Sequence, residues 1–156
     1  MVLARILVDG YSLLHGWNAL APGKPRHSSA AREELVRTLT QYSDVCGAPI
    51  TIVFDGARGR SGTRETASTP DVEILFSCAG QTASQMIERL FHRLRPCGEL
   101  LVVTDDAVER NRVAGAGGGV ANCLDFLQTV ERTLAEMERE IELYNQQERL
   151  KFNNAA

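Results

Sequence analysis

Asp9, Asp55 and the pair Asp105-Asp106 are the residues best placed to do chemistry, because each follows directly on a short apolar run. Those runs are Ile6-Leu7-Val8, Ile50-Thr51-Ile52-Val53-Phe54 and Leu100-Leu101-Val102-Val103-Thr104. Separated by helical stretches, they read as strands of a parallel sheet covered on both faces. In an open sheet of this kind the crevice lies beyond the carboxyl ends of the strands, so acids at three strand ends can converge on one place. A group of carboxylates there suits a hard divalent cation such as Mg²⁺, and that ion suits phosphoryl chemistry. Each acid also has a plainer reading. Asp9 can cap the turn or helix that follows it, Asp55-Gly56 is a common turn pair, and one of Asp105 and Asp106 can be a helix N-cap. Capping explains each acid singly, but not why all three strand ends carry one.

The elements that must position these acids follow from patterning. A loop rich in Gly, Pro and polar residues runs from Gly16 to Ser29, and Ser28 or Ser29 can cap a helix over about Ala30 to Cys46. That helix places Leu35, Val36, Leu39, Tyr42 and Val45 largely on one face, and Gly47-Ala48-Pro49 ends it. Gly56 to Pro70 reads as an exposed loop, Val72 to Phe76 as a third strand, and Thr82 to Leu94 as a helix with Met86, Ile87, Leu90, Phe91 and Leu94 inward. A short helix over Ala107 to Val113 precedes the glycine run Gly115 to Gly119, read as a flexible loop near the crevice. From Asn122 onward, Leu124, Leu127, Val130, Leu134, Met137 and Ile141 form one stripe, and the polar tail after Tyr144 is expected to fray. The same stripe serves packing on the sheet or on a partner, and the oligomeric state stays open. The order β-α-β-β-α-β-α-α makes an α/β, three-layer α/β/α sandwich around a mainly parallel sheet the expected fold.

Composition narrows the class. The 156 residues are 44% hydrophobic and 24% charged, which fits one globular domain rather than a disordered chain. No apolar stretch is long enough to span a bilayer, and Met1-Val2-Leu3-Ala4-Arg5 lacks a signal-peptide layout, so a cytoplasmic protein is expected. With 17 basic and 20 acidic residues the net charge is −3; attraction for nucleic acid must then come from a local patch. Cys46, Cys78, Cys97 and Cys123 lack C-x-x-C spacing and read as reduced thiols, partly buried, rather than as a zinc site.

Taken together, Ile6-Leu7-Val8-Asp9-Gly10-Tyr11-Ser12-Leu13-Leu14, Val53-Phe54-Asp55-Gly56, Val72-Glu73-Ile74-Leu75-Phe76-Ser77, Thr82-Ala83-Ser84 and Val103-Thr104-Asp105-Asp106 with Glu109-Arg110 resemble the YacP-like NYN domain family. That family belongs to the PIN-like nucleases and includes a ribosome-associated bacterial endoribonuclease. The resemblance implies a PIN-like, Rossmann-like domain over residues 1–145 with a polar tail at 146–156. It also implies cleavage of single-stranded RNA dependent on Mg²⁺ or Mn²⁺, with RNA and possibly the ribosome as partners, and neither DNA nor a membrane. By position, Asp9 is the first metal-binding and catalytic acid, and Asp55 a second acid near the site. Asp106 matches the Asp of the family's Thr-Ser-Asp and is, with Asp9 and Asp55, a catalytic and metal-binding acid; Asp105 stands in the place of the Ser and, like Ser12, supports the ligands from behind. Two positions depart from the family. Ser12 stands where the family has Asn, and Ser84 where the family's Thr-Ala-Asp supplies an acid; a neutral hydroxyl is the poorer ligand for a divalent cation. Glu88, one turn later, can reach the crevice or form an outward ion pair. Two expectations therefore stand side by side: a working endoribonuclease, and an RNA- or ribosome-binding module that keeps the fold with a weakened or lost site. A small nucleotide-binding or phosphatase-like protein is a third, resting on fold analogy alone.

Arg58, Arg60 and Arg64 are candidate phosphate contacts, since guanidinium forks match phosphate oxygens, or else ordinary solvated charges. Lys24, Arg26 and His27 form a weaker set of the same kind. Tyr11 and Trp17 can stack on unpaired bases, with packing the favoured role for Trp17. The glycine run lacks the Gly-Lys-Ser/Thr ending of a phosphate-binding loop, and His15 and His92 lack partners at metal spacing.

Overall fold

The computed structural model describes residues 3–17, 28–56, 69 and 71–155. Lys24, Arg26, His27, Arg58, Arg60 and Arg64 lie outside the described residues. Five strands, β1 (Arg5–Asp9), β2 (Ile50–Phe54), β3 (Val72–Phe76), β4 (Leu100–Val103) and β5 (Gly119–Ala121), form one sheet in the order β3-β2-β1-β4-β5. Every pairing is parallel, with Val8 beside Ile52 and Val103 in the central strands. All carboxyl ends therefore lie along one rim.

Helices cover both faces, as a parallel sheet requires. On one face α1 (Gly10–Gly16), α2 (Ser29–Cys46) and α5 (Cys123–Ala155) pack Leu13, Leu14, Leu35, Leu39, Phe126 and Val130 against Ile6, Val8, Ile50, Ile52 and Phe54. On the other, α3 (Ala83–Leu94) and α4 (Ala107–Gly115) pack Ala83, Ile87, Phe91 and Val113 against Leu7, Val53, Leu100 and Val102. The period-two alternation along β1 thus feeds two separate cores, and the three-layer sandwich follows.

Three elements differ from expectation. Gly10 to Gly16 is a helix where the sequence offered only a turn or helix that Asp9 could cap, with no bounds. Gly10 allows it: a Cβ there would come within 2.3 Å of the Phe54 ring, so only glycine lets α1 start flush against β2. The glycine run is not a loop near the acids. Helix α4 carries the chain back to the opposite rim, where Gly117 adopts a left-handed turn (φ +90°) and Gly119 opens the edge strand β5. Finally, the last helix continues past Tyr144 to Ala155. Its buried seam is Cys123, Phe126, Leu127 and Val130, extended by half-buried Leu134, while Leu124 is exposed. The expected stripe was one residue off at its first turn, where Cys123 and not Leu124 is buried, and its last member, Ile141, is exposed. Among the described residues no helix is long and apolar enough to cross a membrane.

Candidate metal and nucleic-acid site

At the carboxyl-end rim each strand-end acid is tied to a helix start. Asp9 N-caps α1, its Oδ1 accepting the Ser12 N–H at 3.3 Å. Asp55 Oδ1 accepts the N–H of Ala83, the first residue of α3, at 2.7 Å. Asp106 N-caps α4 through the N–H groups of Val108 and Glu109. Asp105 Oδ1 accepts the N–H of Cys123, the first residue of α5, at 2.9 Å. Four helices thus aim their positive ends at four acids; the plain capping reading holds for Asp9 and for Asp106 of its pair, while Asp55 and Asp105 reach the first N–H of a helix remote in sequence.

It is not the whole account, because the acids also act on one another. Asp9 is 8% exposed. Burial holds its carboxyl above the ordinary carboxylate range, the Ser12 N–H and hydroxyl oppose that rise, and the charges of Asp55 and Asp105 add to it. The strand ends therefore bring Asp9, Asp55 and Asp105 into one electrostatic group. Asp106 bears instead on Glu109, whose N–H it accepts at 3.2 Å. The Thr104 Oγ1 accepts the Asp106 N–H, and the turn so formed separates the two neighbouring acids.

Glu109 is the residue that sequence reading passed over, although it sits within the quoted Glu109-Arg110 motif. It is 2% exposed, and its Oε1 is the buried side-chain oxygen that lacks a hydrogen-bond partner among the described residues. Desolvation first, and then the charges of Glu88, Asp106 and Asp9, raise its pKa to about 7 against the opposing charge of Arg112. A buried acid three residues beyond a helix N-cap looks, in sequence, like an ordinary exposed first-turn carboxylate. Only the packing of α4 against α3 distinguishes it.

The remaining candidates divide. Ser84 is half-buried in the first turn of α3, next to the Ala83 N–H that Asp55 holds. Glu88 takes the ion-pairing role, meeting Arg112 of α4 at 3.3 Å. Tyr11 sets its ring against Phe54 with centroids 4.9 Å apart, and its hydroxyl accepts from Arg32 at 3.3 Å. Arg32 in turn lies 5.9 Å over the Phe76 ring, a cation at this rim that the sequence did not single out. Trp17 is buried and anchored, donating Nε1–H to Glu131 of α5 at 3.2 Å. His15 and His92 are exposed.

Among the described residues, no three His, Cys, Asp or Glu side chains stand close enough together to hold a metal ion as they are placed. The donor chemistry nevertheless fits a hard cation: the acids at the rim offer carboxylate oxygens, Asp9 lies in the field of two further acids, and one buried carboxylate oxygen is unpartnered. The fit is one of charge and donor type, not of assembled geometry.

Comparison with known proteins places this arrangement. The chain is 28% identical over 137 residues to the uncharacterized protein YacP of Bacillus subtilis (strain 168), covering 87% of this chain and 80% of that one. The crystal structure of Rae1 (YacP) from Bacillus subtilis superposes with a TM-score of 0.72 at 27% identity, over 91% of this chain and 80% of the other. Its W164L mutant gives 0.74 at 26% identity, over 90% and 82%. The profile of the YacP-like NYN domain matches residues 6–155, so the chain belongs to that family.

Proposed function

We propose that this chain is a divalent-metal-dependent endoribonuclease that hydrolyses single-stranded RNA, with messenger RNA on the ribosome as its candidate substrate and the cytoplasm as its setting. The observation that carries this reading is the joint action of Asp55 and Asp105 on buried Asp9 at one end of a parallel sheet. A rim of carboxylates repels phosphate unless a cation intervenes. Acids gathered there make sense for RNA chemistry only with Mg²⁺ or Mn²⁺ between them and the substrate. Family membership supports the same reading.

Asp9, Asp55 and one or both of Asp105 and Asp106 would hold the ion. When bound, it supplies Lewis-acid stabilisation of the charge that builds on the scissile phosphate. The protein's own part is positioning. Ser12 fixes Asp9 by donating its N–H to one carboxylate oxygen. Asp55 and Asp105, each held by a helix N-terminus, cannot swing away from the rim. Arg32 and Tyr11 flank the acids from α2 and α1, where a guanidinium can meet phosphate and a ring edge can meet a base. Arg58, Arg60 and Arg64, which follow β2 in sequence, are proposed as further phosphate contacts.

Ser84 favours a second reading, a binding module whose site has lapsed, since it leaves the start of α3 without an acid. One assay separates the two. Labelled single-stranded RNA is incubated with Mn²⁺ and wild type, Asp9→Asn or Ser84→Asp. Asn is as good an N-cap as Asp, so Asp9→Asn keeps α1 and should lose roughly 100-fold or more of the cleavage rate. Equal cleavage by that variant would remove the catalytic reading. Wild type that binds RNA without cutting it, with cleavage appearing in Ser84→Asp, would establish the lapsed module.

A further inference from the structure

We propose that Glu109 is itself a ligand of the divalent cation, gripping it from the α4 side of the rim and offsetting the neutral Ser84 on the α3 side. The proposal rests on the metal reading above and adds a residue to it. Glu109 lies in the first turn of α4, held by the bond from its N–H to Asp106 Oδ1, so the side chain starts at the carboxyl end of β4. It is buried to 2% exposure and its Oε1 has no partner among the described residues. Folded proteins rarely leave a buried carboxylate oxygen bare, and one that persists calls for a ligand or an ion. The charges that bear on it point to a cation. Glu88 from α3, Asp106 from α4 and Asp9 from β1 are all negative. The positive group within reach, Arg112, is largely solvated and directs its Nη1 to Glu88 at 3.3 Å. A Gln or Met would fill the same space without that repulsion. The acid is therefore retained at a cost that a bound cation removes.

The test needs neither RNA nor turnover. Mn²⁺ is titrated into the intact protein by calorimetry, with electron paramagnetic resonance counting free and bound ion. Wild type is compared with Asp9→Asn, Glu109→Gln and the double variant Glu109→Gln/Ser84→Asp. Glu109→Gln should weaken Mn²⁺ binding by roughly 10- to 100-fold. The acid at position 84 in the double variant should restore most of it. Glu109→Asp, which keeps the charge and shortens the reach, serves if the Gln variant does not fold, and should also bind more weakly. Unchanged affinity in Glu109→Gln beside loss in Asp9→Asn would overturn this assignment and leave the metal reading standing. A loss that Ser84→Asp does not restore would overturn the offsetting role. No binding by wild type would sink the metal reading and this proposal together.

Discussion

Glu109 carries a penalty that depends on pH, and its sign can be worked out. An ordinary glutamate loses its proton near pH 4.5, whereas in the folded chain this one keeps it to about 7. Between those values the folded state binds a proton that the unfolded state has lost, so this contribution to stability falls as pH rises and levels off above 7. The full penalty is about 3 kcal/mol. Urea unfolding of Glu109→Gln should show the variant more stable than wild type at pH 8 by up to that amount, and little different at pH 4.5. Greater stability of wild type at pH 8 would mean that the carboxylate has a protein partner. Among the acids, Asp9, Asp55 and Asp105-Asp106 stood out together because apolar runs of a parallel sheet end on one rim, although each acid singly also had a cap or turn reading. Which of Asp105 and Asp106 bears on Asp9 was not legible. The answer depends on a turn closed by the Thr104 hydroxyl, and that turn sends Asp105 to Cys123 and Asp106 to α4.

Elements with a strong period and clear punctuation were readable almost to the residue: β2, β3, α2 and α3 fall where Gly, Pro and cap residues bound them. Two short elements were not. Helix α1 has seven residues, too few for a periodic signal, and its start depends on Phe54, which is 44 positions away. Strand β5 has three residues and exists because β4 offers an unpaired edge. The reach of α5 is a different matter. At 33 residues it is about 50 Å long. Beyond Met137 every described side chain is exposed, with Phe152 at 77%. Those last turns add helical hydrogen bonds but no packing against the sandwich. A chain ending at Asn145 should therefore melt within about 2 °C of the full protein. A larger drop would show that the distal helix stabilises the domain, and that the domain does not end near residue 145.

At the scale of the whole molecule, the parallel register decides where everything else falls. Because all five strands run the same way, acids, helix starts and the Tyr11-Arg32 pair share one rim, while chain returns such as Gly98 and Gly117 share the other. The same sorting divides the cysteines, which are free thiols among the described residues. Cys123 is buried, and that burial together with Asp105 pushes its thiol up, out of the reactive range. Cys78 is exposed just past the end of β3, whereas Cys46 and Cys97 are exposed shortly before β2 and β4 begin. The molecule thus carries built-in reporters on its two poles. With Mn²⁺ and an uncleavable RNA present, alkylation followed by mass spectrometry should slow at Cys78 and proceed unaltered at Cys46 and Cys97. Uniform rates at all three would place the nucleic acid elsewhere.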